Sequence, residues 1–136
     1  MRSMAWRHEF EPRPWSDLSE FYERMATKDQ AFGYLVDIVR SIEASPSRDR
    51  LAATTSMHDL LVVDQPISSL PIEMLRVSAP GSLSPAPAGS VVIEHFSHSG
   101  RNDRVERPVV EAVPLFWRFV LEKFGIEGAP VNEAGR

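Results

Sequence analysis

Glu73-Met74-Leu75-Arg76-Val77-Ser78-Ala79 decides the fold, because its apolar and polar residues alternate along the chain. This alternation places its leucine and valine on one face of a β-strand and its arginine and serine on the other. The segment Ser90 to Phe96 has the same pattern. Between the two lies a stretch rich in proline and glycine, residues 80–89, which cannot continue a sheet ladder. The pattern therefore predicts two strands joined by a mobile hairpin loop.

Three helices are predicted from apolar residues at helical spacing. A short helix spans roughly Ser16 to Ala26 after a capping-box pattern, and a longer one spans Thr27 to Ala44. A third runs from about Pro108 to Phe124, and Pro114 inside it predicts either a kink or a start at that residue. Gly125 is expected to cap its C-terminal end.

The order of these elements predicts an α+β fold, with an antiparallel sheet of three to four strands and helices packed on one face. Leu51 to Val63 is rich in threonine, valine and leucine and contributes one bent strand or two short ones. A chain of 136 residues has the usual length of one domain. We therefore expect a single domain over residues 1–136, with an irregular aromatic arm at 1–15 and a frayed tail at 128–136.

The composition excludes several classes of protein. A content of 43% hydrophobic and 25% charged residues is that of an ordinary globular domain. The absence of cysteine excludes disulfide frameworks and thiolate metal sites and fits a reducing compartment. The net charge of −4 argues against nucleic-acid binding through a cationic surface. No apolar run approaches the roughly 20 residues that span a bilayer, and no secretion-signal core is seen, so we expect a cytoplasmic protein without membrane contact.

The segment from Glu94 to His98 is the most suggestive cluster for chemistry, and with His58 it could form a set of imidazole and carboxylate ligands. Residues three apart on a strand point to opposite faces, so His95 and His98 converge only if the chain turns at Ser97. No metal-binding or nucleophile motif accompanies them. We therefore predict no cofactor and no metal site, and the candidate ligands, should a metal bind, are His58, His95 and His98.

Two groups of side chains are candidates for binding a partner. The aromatic residues of the arm supply large contact areas at low entropic cost, although the same rings could cover the core of the domain or cross to a second subunit. Three arginines that recur every three residues could form a basic stripe for phosphate or carboxylate groups. Acidic residues interleave with them, however, as in a solvated turn. The candidate binding residues are Trp6, Phe10, Trp15, Arg101, Arg104 and Arg107.

These features together favour recognition over catalysis. We expect a non-catalytic protein-binding domain, such as a bacterial immunity or adaptor protein, whose partner is another protein or a second copy of this chain. The alternative is a small enzyme or ligand-binding protein with a histidine/carboxylate pocket, because catalytic groups assemble in space without a linear motif.

Overall fold

The computed structural model describes residues 10–67, 71–82 and 86–128 and contains, within them, three α-helices and five β-strands. The helices are α1 (Trp15–Lys28), α2 (Gly33–Glu43) and α3 (Ala112–Phe124). The strands are β1 (Leu51–Ser56), β2 (Asp59–Asp64), β3 (Met74–Val77), β4 (Ser90–Phe96) and β5 (Asp103–Pro108). Short 3-10 turns are formed by Gln30–Phe32, Arg48–Arg50 and Val109–Glu111.

The strands form one antiparallel sheet in the order β1-β2-β3-β4-β5, so each strand pairs with its neighbours in sequence. The predicted α+β class is confirmed. The predicted number of three to four strands is corrected to five, because Leu51 to Val63 contributes two strands and β5 adds a further one. β5 lies at the edge of the sheet and is almost entirely exposed and charged, so it lacks the apolar alternation that reveals a strand in sequence.

The helices cover one face of the sheet and enclose the main hydrophobic core. Alternate residues of the central strands, such as Leu60, Leu75 and Ile93, point to this face and are fully buried. They belong to the same cluster as Ile38 of α2 and Phe116 of α3. Burial of one such side chain contributes about 1.5–3 kcal/mol, so this layer determines which face each strand turns inward.

A second, smaller apolar cluster lies on the opposite face, where Phe10 packs against Met74 and its neighbours. Toward β5 the same face becomes charged. Arg76 of β3 lies opposite Glu94 of β4, which lies opposite Arg104 of β5. Cross-strand neighbours of opposite charge support the register of the three strands.

The helix boundaries follow from local capping. The helix predicted over Thr27–Ala44 is interrupted at Asp29, which is extended and accepts a hydrogen bond from the backbone N–H of Ala31 at 3.0 Å. α3 starts at Ala112, so Pro114 lies in its first turn, where an N–H has no helical partner. Gly125 adopts a left-handed conformation with φ of 68° and caps α3, as predicted.

The chain ends are partly described. The aromatic arm is shorter than predicted, because α1 already begins at Trp15. Arg13 runs beside the outer edge of β1, since its backbone N–H donates to the carbonyl of Ala53 at 2.8 Å. At the other end Gly128 lies close to the ring of Trp117. Residues 1–9 of the arm and residues 129–136 of the predicted tail lie outside the described residues.

Truncation of Phe10 tests whether its ring belongs to the core. The ring is only 7% exposed, so Phe10→Ala is expected to lower the free energy of unfolding by about 3–5 kcal/mol. Urea unfolding followed by circular dichroism measures the change. Leu121→Ala, at a half-exposed position of α3, is the matched control and should change stability far less. A Phe10→Ala variant as stable as the wild type would mean that the ring is free to contact a partner.

Candidate functional site

The antiparallel sheet has two ends with different chemistry. The hairpin end consists of the β1–β2 turn at residues 57–58, the described parts of the β3–β4 connection at residues 78–82 and 86–89, and the β5–α3 junction at residues 109–111. The histidine end consists of the described parts of the β2–β3 connection at residues 65–67 and 71–73 and the β4–β5 turn at residues 97–102.

The β1–β2 turn is a two-residue turn of unusual backbone conformation. Met57 and His58 have φ of 50° and 77°, in the left-handed region that such hairpins usually fill with asparagine and glycine. Each non-glycine residue held there costs roughly 1–2 kcal/mol. Packing holds the turn in place, because the ring of His58 stacks on Phe21 at 5.8 Å and the hydroxyl of Tyr22 donates to the carbonyl of His58 at 2.8 Å.

Asp59, directly after the turn, joins the turn to the β3–β4 connection. Its carboxylate is 1% exposed and accepts three hydrogen bonds. The donors are Nε of Arg76 at 2.7 Å, the backbone N–H of Ala79 at 2.7 Å and the hydroxyl of Ser82 at 3.0 Å. A buried carboxylate is stable only when its lone pairs are satisfied, so the start of the connection is fixed against β2.

Two tyrosines strengthen the same region from the helices. Tyr34 of α2 donates its hydroxyl proton to the carbonyl of Ser78, and Tyr22 of α1 bonds to the turn as described. Burial, followed by the negative charge of Asp59, raises the pKa of both Tyr22 and Tyr34 far above the ordinary value. Both hydroxyls therefore stay protonated and serve as structural donors.

A cleft of about 400 Å³ lies at the hairpin end. We call it the loop cleft; it opens between the start of α2, the β3–β4 connection and the β5–α3 junction. Its lining is mainly apolar, and Val110 at its border is 85% exposed. Within the described chain Asp37 is an exposed acidic residue of the lining and takes part in no ion pair. The lining residues are Gln30, Ala31, Gly33, Tyr34, Asp37, Ala79, Pro80, Ala86, Pro87, Ala88, Gly89, Ser90, Val109 and Val110.

At the histidine end one carboxylate lies between two imidazoles. Oε1 of Glu73 is 3.4 Å from Nε2 of His95, and Oε2 of Glu73 is 3.4 Å from Nδ1 of His98. The chain does turn after Ser97, where the backbone N–H of Gly100 donates to the carbonyl of Ser97 at 3.2 Å. The turn lets His98 reach back, and its backbone N–H donates to Glu73 at 2.9 Å.

The two histidines of this cluster have different surroundings. His95 is 6% exposed, and among the described residues its Nε2 makes no hydrogen bond of good geometry, although Oε1 of Glu73 lies 3.4 Å away. Burial lowers the pKa of His95, which outweighs the opposing effect of Glu73. His98 is exposed, and its Nε2 lies 2.7 Å from the carbonyl of Pro71, which can only accept, so that nitrogen carries a proton. Glu73 was missed by the sequence analysis, although the register that places Met74 opposite Phe96 also brings it beside Ser97.

The predicted ligand set does not assemble as a whole. His58 lies at the hairpin end, stacked on Phe21, whereas His95 and His98 lie at the histidine end. Glu94 points away from His95, because neighbouring strand residues face opposite sides of the sheet. Among the residues that the structure describes, no three histidine or acidic side chains are placed to hold a metal ion.

The predicted binding residues are dispersed. Trp6 lies outside the described residues, Phe10 is buried in the smaller cluster, and Trp15 is partly buried against the main core. The arginines do not form one stripe: Arg101 lies in the β4–β5 turn, while Arg104 and Arg107 project from opposite faces of β5. A binding role for these residues stays a prediction.

No protein-family model, curated protein or solved structure matches this chain. No helix in the described part of the chain is long and apolar enough to cross a membrane.

Removal of the Asp59 carboxylate tests its role in holding the hairpin end. Asp59→Ala removes the buried member of the ion pair with Arg76 and takes its acceptor from the buried backbone N–H of Ala79, and loss of one member of a buried pair costs about 3–5 kcal/mol of stability. Urea unfolding measures this loss. The exposed pair of Glu23 and Arg40 is the control, and Glu23→Ala should cost less than about 1 kcal/mol. Equal effects of the two substitutions would contradict the role of Asp59.

The lowered pKa of His95 predicts how stability depends on pH. The unfolded chain takes up a proton near the ordinary histidine pKa of about 6.5, before the folded chain does. The contribution of His95 is therefore complete above that pH and decreases as the pH falls below it. Free energies of unfolding measured from pH 8 to pH 5 should fall less in His95→Gln than in the wild type. His98→Gln is the control, and identical pH profiles for His95→Gln and the wild type would overturn the prediction.

Proposed function

We propose that this chain is a non-catalytic protein-binding domain, of the immunity or adaptor type, which binds its partner with the hairpin end. The observation that carries the proposal is the exposure of large apolar side chains at the hairpin end, one in the β1–β2 turn and one at the border of the loop cleft. Met57 is 67% exposed and Val110 is 85% exposed, and both lie at this end. Large apolar side chains that stay in solvent next to a cleft are typical of contact surfaces.

Hydrogen bonds hold two parts of this surface in place, which favours recognition. Met57 projects from a turn whose strained backbone is held by Tyr22, and one wall of the loop cleft is fixed by Asp59 and Tyr34. A surface that is already ordered loses little conformational entropy when a partner binds. Strained backbone that persists in a folded protein is often associated with function.

The charge of the cleft indicates the chemistry of the partner. Asp37 is exposed in the lining, and the chain carries a net charge of −4. Arg40, one turn further along α2, is bound to Glu23 at 2.8 Å. A partner that presents an apolar side chain beside a lysine or arginine therefore complements this surface.

A second candidate function, a small enzyme or ligand-binding protein, is supported by the cluster of Glu73, His95 and His98. The buried Nε2 of His95 could accept a proton or bond to a ligand. The support is smaller, because His98 is already bonded to the carbonyl of Pro71 and the described residues hold no three-ligand metal group.

Substitution of the two exposed residues separates binding from folding. Met57→Asn suits the left-handed backbone better than methionine, so the Met57→Asn/Val110→Asn variant should remain as stable as the wild type. It should capture at least tenfold less of a stoichiometric protein partner from the lysate of the native host, a loss of about 1.4 kcal/mol in binding. Tagged pull-down with quantitative mass spectrometry measures the captured amount.

The control variant for this experiment is Leu121→Asn, which removes a half-exposed apolar residue of α3 outside the cleft. It should capture the partner as the wild type does. Capture that is unchanged in the Met57→Asn/Val110→Asn variant would place the contact surface elsewhere. A wild-type chain that captures no protein at all would contradict the protein-binding function and turn attention to the histidine end.

A further inference from the structure

β5 forms one edge of the sheet, and its outer side is exposed. The backbone N–H of Val109 donates to the carbonyl of Gly89, and that of Ser78 donates to the carbonyl of Val92. In antiparallel pairs, the residues that bond to one neighbouring strand alternate with those that bond to the other. These two bonds therefore show that the odd-numbered residues of β5 direct their backbone N–H and C=O groups toward β4. The N–H and C=O groups of Arg104 and Glu106 consequently point outward, as strand edges that can accept a further strand do. The carbonyl of Glu106 accepts a hydrogen bond from Nη1 of the exposed Arg107 side chain at 2.8 Å, which a second strand would displace.

The sequence of this edge is complementary to itself. Asp103-Arg104-Val105-Glu106-Arg107 has the same arrangement of charges when it is read backward with the signs exchanged. If two copies pair antiparallel about a two-fold axis at Val105, Arg104 lies opposite Glu106 of the other copy on the outer face. On the helix face Asp103, which also forms an ion pair with Lys123 of α3, lies opposite Arg107, and the two valines meet at the axis.

Only one register gives this complementarity. At the two-fold axis one residue must lie directly opposite the same residue of the other copy, because both copies must keep their helices on the same face of the joined sheet. An axis at Arg104 would place two arginines opposite each other, and an axis at Glu106 would place two glutamates opposite each other. Like charges directly across a pair destabilise it, so the alternatives are disfavoured.

The surroundings of β5 are compatible with a second copy. Arg104 already lies opposite Glu94 of β4, so a Glu106 from the other copy would extend the alternating row of charges that begins at Arg76. The adjoining face of α3 carries both Arg118 and Glu122, exposed beside a shallow cavity of about 220 Å³. A two-fold copy of this helix therefore does not meet a surface of a single charge.

We propose that β5 binds β5 of a second copy of this chain, and that the resulting homodimer has one continuous ten-stranded sheet. Four backbone hydrogen bonds join the copies. In each copy the N–H of Arg104 donates to the carbonyl of Glu106 of the other copy, and the N–H of Glu106 donates to the carbonyl of Arg104 of the other copy. Pro108, which has no N–H to donate, lies just beyond the paired segment. The homodimer does not depend on the hairpin end, which stays accessible to another protein.

A cross-link at the axis tests the proposed register. The chain has no cysteine, so Val105→Cys introduces a single thiol. Residue 105 would form a pair without backbone hydrogen bonds, with Cα atoms about 4.5 Å apart, within the range of a disulfide. Mild oxidation should convert most of the Val105→Cys variant to a covalent dimer on non-reducing gels. Glu111→Cys, exposed in the adjoining 3-10 turn, is the control and should stay largely uncross-linked.

Charge exchange tests the pairing itself. Light scattering should give the wild type twice the 15.3 kDa mass of the chain, and Glu106→Arg should weaken dimerisation at least tenfold by placing two arginines opposite each other. Arg104→Gln/Glu106→Arg removes the contact between like charges without placing a second acid opposite Glu94, and it should recover most of the dimerisation. Arg24→Glu, exposed on α1, controls for net charge, and circular dichroism checks that every variant folds.

A monomeric wild type at millimolar concentration would overturn the proposal, and so would a dimer that Glu106→Arg leaves unchanged or that Val105→Cys does not cross-link. None of these results bears on protein capture by the hairpin end, so the two proposals fail separately.

Discussion

The buried carboxylate of Asp59 is the constraint on which the hairpin end depends. It is removed from water, and its three hydrogen bonds come from β3 and from the first residues of the β3–β4 connection. An unpaired charge in this position would be very costly, so the fold depends on these bonds. The left-handed turn before Asp59 and the wall of the loop cleft behind it are then both fixed. One side chain thus couples the order of the sheet to the shape of the exposed surface.

Much of the fold could be predicted from apolar periodicity, because burial is what periodicity reports. The stripe on α2 and the alternation in β3 and β4 identified those elements, since each turns a single face to the core. β5 was not predicted from the sequence, because its register is set by pairing with β4 and its side chains are charged and exposed. Asp29 divides the first two helices through a side-chain cap, which periodicity does not record.

The candidate site was less predictable, because it depends on contacts between segments distant in sequence. The condition that His95 and His98 meet through a turn at Ser97 was recognised, but Glu73, which lies between them, belongs to the β2–β3 connection. Asp59 appeared as one acidic residue among many, since its burial arises only from the approach of Arg76 and Ser82. Conversely, three arginines with regular spacing in sequence are separated, because Arg101 lies in the β4–β5 turn and the alternation of β5 places Arg104 and Arg107 on opposite faces.

The two edges of the sheet differ in a way that limits assembly. The outer side of β1 is occupied near its middle by the arm, through the bond from Arg13 to Ala53, whereas the described part of the chain leaves β5 open. A subunit that offers backbone groups at both edges can polymerise without end, as amyloid strands do. A subunit with one open edge has no free edge after a single two-fold contact, so assembly stops at the dimer. The short arm thereby leaves less of the β1 edge available for pairing with another chain.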